Sequence, residues 1–221
     1  MNVLIGCECT GTIREAFRKL GHNAWSCDIL DDQSGNSNYH IKADILDVLK
    51  NKEKYPAWDL FIVHPDCTYL TISAEWCYKD IELQTKKLDP DKLYGKARRM
   101  AREKALDFVR QIIELSLHIP KFGMENPIGK INTGIRKPDQ YIHPHEYGHD
   151  ASKKTGLWLR GLPLLVSDPR KHIKPRIVNG LPRWANQTDS GQNRLPPSKD
   201  RWLHRATTYQ GWADAMAEQW G

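Results

Sequence analysis

Four apolar residues in a row, Leu60-Phe61-Ile62-Val63, stop at His64-Pro65, and no other feature constrains the fold as tightly. A strand that is apolar on both faces has to be covered on both faces. Where it stops, it delivers Asp66 and Cys67 to the carboxyl edge of the sheet, the edge at which open α/β sheets bind ligands. A second apolar strand runs from Lys121 through Glu125 to Pro127 and ends the same way, with a carboxylate followed by a proline. A thiol and a carboxyl group at neighbouring strand ends form a pair suited to covalent catalysis.

The first half of the chain alternates strand and helix. Val3 to Gly6 reads as a strand, Gly11 to Leu20 as a helix closed by Gly21, Ala24 to Cys27 as a second strand and Ile41 to Ile45 as a third. The strongest helical pattern spans Leu93 to Leu117, where Ala105, Leu106, Phe108, Val109, Ile112 and Ile113 keep the helical period and Pro120 ends it. Such alternation implies an α/β fold with a doubly wound, mostly parallel sheet. After Pro127 the texture changes to Gly, Pro, Asn, His and Lys, with one more apolar strand at Leu157 to Leu159. Residues 169–206 read as an irregular basic excursion, and residues 207–221 as a turn and helix returning to a catalytic unit formed by 1–168.

The 221 residues suffice for one sizeable core, and 27% charged with 39% hydrophobic residues describes a soluble globular protein. Met1-Asn2-Val3-Leu4 opens directly into a strand, which leads to the expectation of a cytoplasmic protein without a signal peptide. Five cysteines, an odd number, argue for free thiols in a reducing compartment. The net charge of +6 is unevenly spread: Arg170 to Arg205 holds nine Lys/Arg against two Asp/Glu, interleaved with Trp184 and Trp202. That composition suits a polyanion with stackable bases, and equally a solvated basic loop.

The loop Gly6-Cys7-Glu8-Cys9-Thr10-Gly11 lies between the first strand and the first helix, where a doubly wound fold cradles a nucleotide-like ligand. Asp28 ends the second strand, where a carboxylate accepts hydrogen bonds from ribose hydroxyls, and Asp44 follows the third, within reach of an adenine amino group. Each of these acids is also a competent helix cap. The Cys7-x-Cys9 spacing does not match paired zinc ligands, and no metal is expected.

Taken in order, these segments resemble the motifs of DNA (cytosine-5)-methyltransferases, in the compact form found in bacteriophage and prophage genomes. The first loop through Gly11 resembles the S-adenosylmethionine loop, Ser26-Cys27-Asp28 the acidic end of strand two, and Ala43-Asp44-Ile45 the adenine-contacting segment. His64-Pro65-Asp66-Cys67 resembles the Pro-Cys nucleophile loop, and Glu125-Asn126-Pro127 the Glu-Asn-Val motif. Glu146-Tyr147-Gly148 with Lys153-Lys154-Thr155 resembles the tyrosine-glycine and arginine-rich segment, and Thr208-Tyr209-Gln210-Gly211 the last conserved motif. Three departures stand out. Asp66 replaces a common proline, Lys153 and Thr155 replace two arginines, and the stretch between Arg160 and Thr207 is too short for a large target-recognition domain.

The resemblance implies a Rossmann-like methyltransferase sheet with a reduced target-recognition region. It also implies S-adenosylmethionine as cofactor, held by Gly6, Glu8, Thr10, Gly11, Asp28, Asp44 and Pro65, and double-stranded DNA as substrate. Lys153, Lys154, Thr155, Arg176, Arg183 and Arg194 are the implied nucleic-acid contacts. Cys67 would attack carbon 6 of cytosine, making carbon 5 nucleophilic, while Glu125 supplies a proton at ring N3. Other readings stay open: another enzyme acting at pyrimidine carbon 5, on DNA or a free nucleotide, and a catalytically silent nucleic-acid-binding relative, for which Asp66 beside the thiol speaks. An amino-group methyltransferase is disfavoured, because Cys67 stands where its loop carries an aromatic residue.

Overall fold

The computed structural model describes residues 1–80, 89, 91–196, 198 and 201–221; Lys199 and the side chain of Trp202, both counted in the basic stretch, lie outside the described residues. The first β/α units are β1 (Asn2–Gly6), α1 (Thr12–Lys19), β2 (Asn23–Asp28), β3 (His40–Lys42), α2 (Ile45–Lys50) and β4 (Leu60–Val63). They are followed by α3 (Gly95–Leu115), β5 (Lys121–Pro127), the single turn α4 (Ile131–Gly134), β6 (Gln140–Ile142) and β7 (Thr155–Arg160). The chain closes with a hairpin, β8 (Arg176–Val178) and β9 (Leu181–Arg183), then α5 (Arg201–Ala206) and α6 (Gln210–Trp220).

Seven strands form one sheet in the order β3-β2-β1-β4-β5-β7-β6, in which β7 alone runs against the others. This is the doubly wound, mostly parallel sheet that the alternation of strand and helix predicts, of the Rossmann-like type that the resemblance implies. The period-2 geometry of a strand decides which residues meet which layer. Leu60 and Ile62 join Val3, Ile5, Ile13, Phe17, Trp212, Met216 and Trp220 under α1 and α6. Phe61 and Val63 turn the other way, to Leu4, Ile45, Leu49, Leu106, Val109 and Ile112 under α2 and α3. All four β4 residues are buried, as an interior parallel strand requires.

Three boundaries differ from the sequence reading. The third strand ends at Lys42 instead of running to Ile45, because the Asp44 carboxylate accepts the Leu46 N–H at 2.8 Å and starts α2 there. The long helix begins at Gly95, after an extended Tyr94, and ends at Leu115. The segment read as irregular contains the β8–β9 hairpin. Its two-residue turn places Asn179 at φ 50° and Gly180 at φ 74°, the pair of positive angles that a tight hairpin of matching twist demands. That segment is anchored at its far end: Asn186 exchanges hydrogen bonds of 2.9 and 3.0 Å with Ser152, Ala185 N–H donates to Asp150, and the Trp184 ring stacks on His145 at 4.2 Å. Among the described residues no helix is long and apolar enough to cross a membrane.

The C-terminal helix contributes much of one core layer. Trp220 is 1% exposed and its indole N–H donates to Pro163 O at 3.1 Å. Trp220→Ala should lower the unfolding free energy by about 3–5 kcal/mol. The exposed Met100→Ala on α3 should change it by less than about 0.5 kcal/mol. Urea unfolding monitored by circular dichroism reads both, and equal effects would contradict the layer assignment.

Candidate active site

Register aligns the ends of five parallel strands. Gly6 pairs with Cys27 and with Val63, Asp28 with Lys42, and Val63 with Met124. One residue beyond that line, His64, just past the end of β4, and Glu125 on β5 stand side by side. The sequence places each of them at a strand end; only strand pairing makes them neighbours.

At the β1 end, Asp28 accepts the Leu30 N–H and Asp44 the Leu46 N–H, each through Oδ1. Burial pushes the Cys7 thiol well up, and the charges of Asp28, Asp44 and Asp66 push it further. Glu8 behaves differently. It is 4% exposed, and its two oxygens accept the Ile13 and Arg14 N–H groups at 2.7 and 3.3 Å. The carboxylate expected to meet a cofactor therefore fills the amino end of α1, leaving the main chain of the loop to face a ligand. A helix start already neutralised by its own chain has no call for a phosphate. Thr10 lies in the same loop, its hydroxyl 3.3 Å from that of Thr12.

A seam of hydrogen bonds joins the loops that leave β4 and β5. Asn126, 1% exposed, donates from Nδ2 to Pro65 O at 2.7 Å. Further along, Lys130 N–H donates to Leu70 O at 2.7 Å, Ile72 N–H to Ile128 O at 3.4 Å, and Thr71 bridges to Gly129. Gly129 has to be glycine, because a Cβ there would sit 1.9 Å from Leu70 O. Asp66, exposed, turns its carboxylate to the Thr68 N–H and hydroxyl at 3.0 and 2.7 Å. Asp66 thus builds an Asx turn just ahead of Cys67. From α3, Arg102 donates to Tyr69 O at 3.0 Å and pairs with Glu75 at 2.6 Å.

Cys67 is held as a thiol. Burial pushes it up, Lys153 pulls it down, and Asp66 and Glu125 push it up again, with Arg205 opposing them. Facing cations separates Cys67 from Cys7, Cys9 and Cys27, whose neighbouring charges are carboxylates; Cys27 is pushed up to about 12 by burial, Asp28 and Asp44. Glu125 shows the reverse balance. Burial pushes its carboxyl up, but Lys153, with Nζ 4.0 Å from Oε1, and His64, with Nδ1 3.1 Å from Oε2, leave it below its ordinary value. His64 Nε2, Glu125 Oε1 and Asn126 Oδ1 are buried without a hydrogen-bond partner, a cluster of the kind that marks a working site.

The expected nucleic-acid contacts separate into groups. Lys153 belongs to the Cys67–Glu125 cluster and also donates to Arg205 O at 3.5 Å. Lys154 lies over the Tyr141 ring at 4.5 Å. Thr155 is fully buried and its hydroxyl donates to Lys153 O, so in place of a phosphate contact it shapes the turn that presents Lys153. Arg176 donates to Trp184 O and Gln187 O and pairs with Asp189, while Arg183 donates to Asp189 O. With Arg194, Asp150 and Ala185 they line a cavity of about 220 Å³. His64, Asn126 and Arg205 were not singled out from the sequence as site residues. His64 and Asn126 adjoin recognisable strand ends, which is the one signal that points to them.

No family model and no curated protein matches the chain. Solved structures similar to it include the following two. A candidate DNA modification methyltransferase encoded within a prophage of E. coli is 16% identical, with a TM-score of 0.43 over 74% of this chain and 49% of that one. A Spodoptera frugiperda DNMT2 variant is also 16% identical, with a TM-score of 0.39 over 72% of this chain and 49% of the other. The chain spans about half the length of each.

Two outcomes follow from the seam and the charges. Gly129→Ala should destabilise the fold by roughly 1–3 kcal/mol through the forced backbone shift, and should loosen the Cys67 loop as read by faster amide exchange at Leu70. Asp66→Asn keeps the turn but removes one negative charge from the thiol. Cys67 alkylation by iodoacetamide should then rise at a lower pH than in the wild type; an unchanged profile would show that the Asp66 charge does not reach the sulfur.

Proposed function

We propose that the chain is an S-adenosylmethionine-dependent DNA cytosine C5-methyltransferase working through a covalent Cys67 adduct. The observation that carries this reading is the meeting of Cys67 and Glu125 on adjacent strand ends under the charge of Lys153, which acts on both. Bound in the crevice at the β1 end, S-adenosylmethionine supplies an electrophilic methyl group on a positively charged sulfur. The Asp28 and Asp44 carboxylates would hold its ribose and adenine, beside the Gly6–Gly11 main chain. The charges of Asp28, Asp44 and Asp66 acting on Cys7 support that fit.

Lys153 and Arg205 favour the Cys67 thiolate, which adds to carbon 6 of cytosine and turns carbon 5 into an enamine-like nucleophile. Glu125 stabilises the charge gained at N3. Asn126 keeps the Pro65 carbonyl, and with it the Cys67 loop, in register with Glu125. The cytosine leaves the stack to reach this site. Lys154 and the arginine cavity beside Asp150 take phosphates, with residues 169–206 as a small target-recognition region.

The test is a duplex carrying 5-fluorocytosine, incubated with S-adenosylmethionine. Fluorine at carbon 5 cannot leave as a proton, so the adduct cannot resolve and the protein should stay attached. Cys67→Ser should abolish attachment, and Glu125→Gln should slow it by several powers of ten. Asp28→Ala and Asp44→Ala should each weaken cofactor binding by about 1–3 kcal/mol in calorimetry. Affinity for DNA should fall with salt, and charge reversal at Arg194 should flatten that slope. Methylation of free dCMP in place of the duplex would move the assignment to a nucleotide-modifying enzyme.

A further inference from the structure

His64 is fixed at the junction of three strands. Its N–H donates to Gly6 O at 3.0 Å, and its ring lies against Glu125, with Nδ1 3.1 Å from Oε2 and the two side chains 11% and 9% exposed. Its other ring nitrogen, Nε2, is buried with no hydrogen-bond partner. The charge of His64 also acts on Glu8, where it opposes the upward push of burial on that carboxyl. Two buried glutamates, Glu125 of β5 and Glu8 of the loop after β1, therefore lie within the field of His64. Lys153 stands beyond Glu125, and Cys67 lies within the field of Glu125 and Lys153, with Asp66 and Arg205 as the further charges on the thiol.

This arrangement meets a difficulty in the proposed chemistry. Lys153 and His64 favour the ionised form of Glu125, and a carboxylate accepts hydrogen bonds but cannot donate a proton to N3. The proton of the His64–Glu125 bond therefore sits on Nδ1. We propose that His64 is the proton reservoir for Glu125, a positioning and relay residue that acts through the carboxyl group. The proposal rests on the methyltransferase reading above.

In the relay the Nδ1–H bond breaks and an Oε2–H bond forms. The electron pair stays on the ring nitrogen, so imidazolium and carboxylate become neutral imidazole and carboxylic acid. The carboxyl group gives that proton to N3 as the Sγ–carbon 6 bond forms and the ring π pair moves towards N3, which restores the carboxylate. When the cysteine leaves carbon 6, N3 returns its proton by the same path. His64 has to carry both ring protons at the start, whereas Cys67 has to lose its own. Adduct formation should therefore need a proton held at the His64–Glu125 pair as well as loss of the Cys67 proton, and replacing the imidazole should change its pH profile.

His64→Asn separates the relay from a structural role. An Asn amide places an N–H near the Nδ1 position and can keep the bond to Glu125, but it has no proton to transfer. Attachment to the 5-fluorocytosine duplex should be about 100-fold slower and follow a pH profile different from that of the wild type, with thermal unfolding and S-adenosylmethionine binding unchanged. A His64→Asn variant with the wild-type rate and profile overturns the relay and leaves the methyltransferase reading standing. Absence of attachment in the wild type overturns that reading and the relay with it. Nitrogen NMR of His64 in the wild-type protein is a second measurement, independent of catalysis and of the variant's folding. A protonated Nδ1 is expected, and an unprotonated Nδ1 overturns the proposal.

Discussion

The seam between the loops that leave β4 and β5 is the constraint on which the candidate site depends. Parallel pairing brings the two strand ends level, but it leaves the loops beyond them free to diverge. The Asn126 amide on Pro65 O, the Lys130–Leu70 and Ile72–Ile128 bonds and the close approach of Gly129 remove that freedom. A neutral hydrogen bond contributes only about 1 kcal/mol net, yet a buried carbonyl left without its donor costs about 1–3 kcal/mol. The loops are thus held in one arrangement less by the strength of the bonds than by the cost of breaking them. Cys67 takes its place relative to Glu125 from this seam.

Charge balance within that frame sets the chemistry. Burial disfavours both ionised groups, and the outcome for each depends on which charges are near. Glu125 has Lys153 and His64 in direct reach and comes out ionised. Cys67 has Lys153 and Arg205 on one side, Asp66 and Glu125 on the other, and comes out as a thiol. A thiol at rest is protected from oxidation and stray alkylation, because only the thiolate is the nucleophile. Arg205 precedes the turn into α6, so the charge around Cys67 depends in part on the far end of the chain.

Much of this was legible in the residues. The unbroken apolar run of β4, the alternation of strand and helix, and the carboxylate and thiol at strand ends all carry local signals that hold whatever the rest of the chain does. The Asn179-Gly180 hairpin was also legible, since both residues tolerate positive φ, but basic and polar neighbours hid it. The third strand was read too long because Ala43-Asp44-Ile45 is equally good as strand end or helix start. Asp44 decides between them only when its carboxylate finds the Leu46 N–H. The three-residue β6 offers too short an apolar pattern to read, and its partner β7 supplies the ladder that makes it a strand.

The sequence by itself determined the class of fold, the layer to which each strand residue turns, and the chemical types that gather at the carboxyl edge. Those follow from side-chain period and from which residues can end a strand. Tertiary structure alone decided that β4 lies beside β5, that His64 therefore touches Glu125, and that Glu8 turns inward to α1 while the charges of Asp28, Asp44 and Asp66 act on Cys7. It also brought Lys153, 28 residues beyond Glu125, to within 4.0 Å of that carboxylate. Contacts between residues distant along the chain depend on how strands order themselves in a sheet. Strand order is set by the packing of whole layers, which no local pattern records.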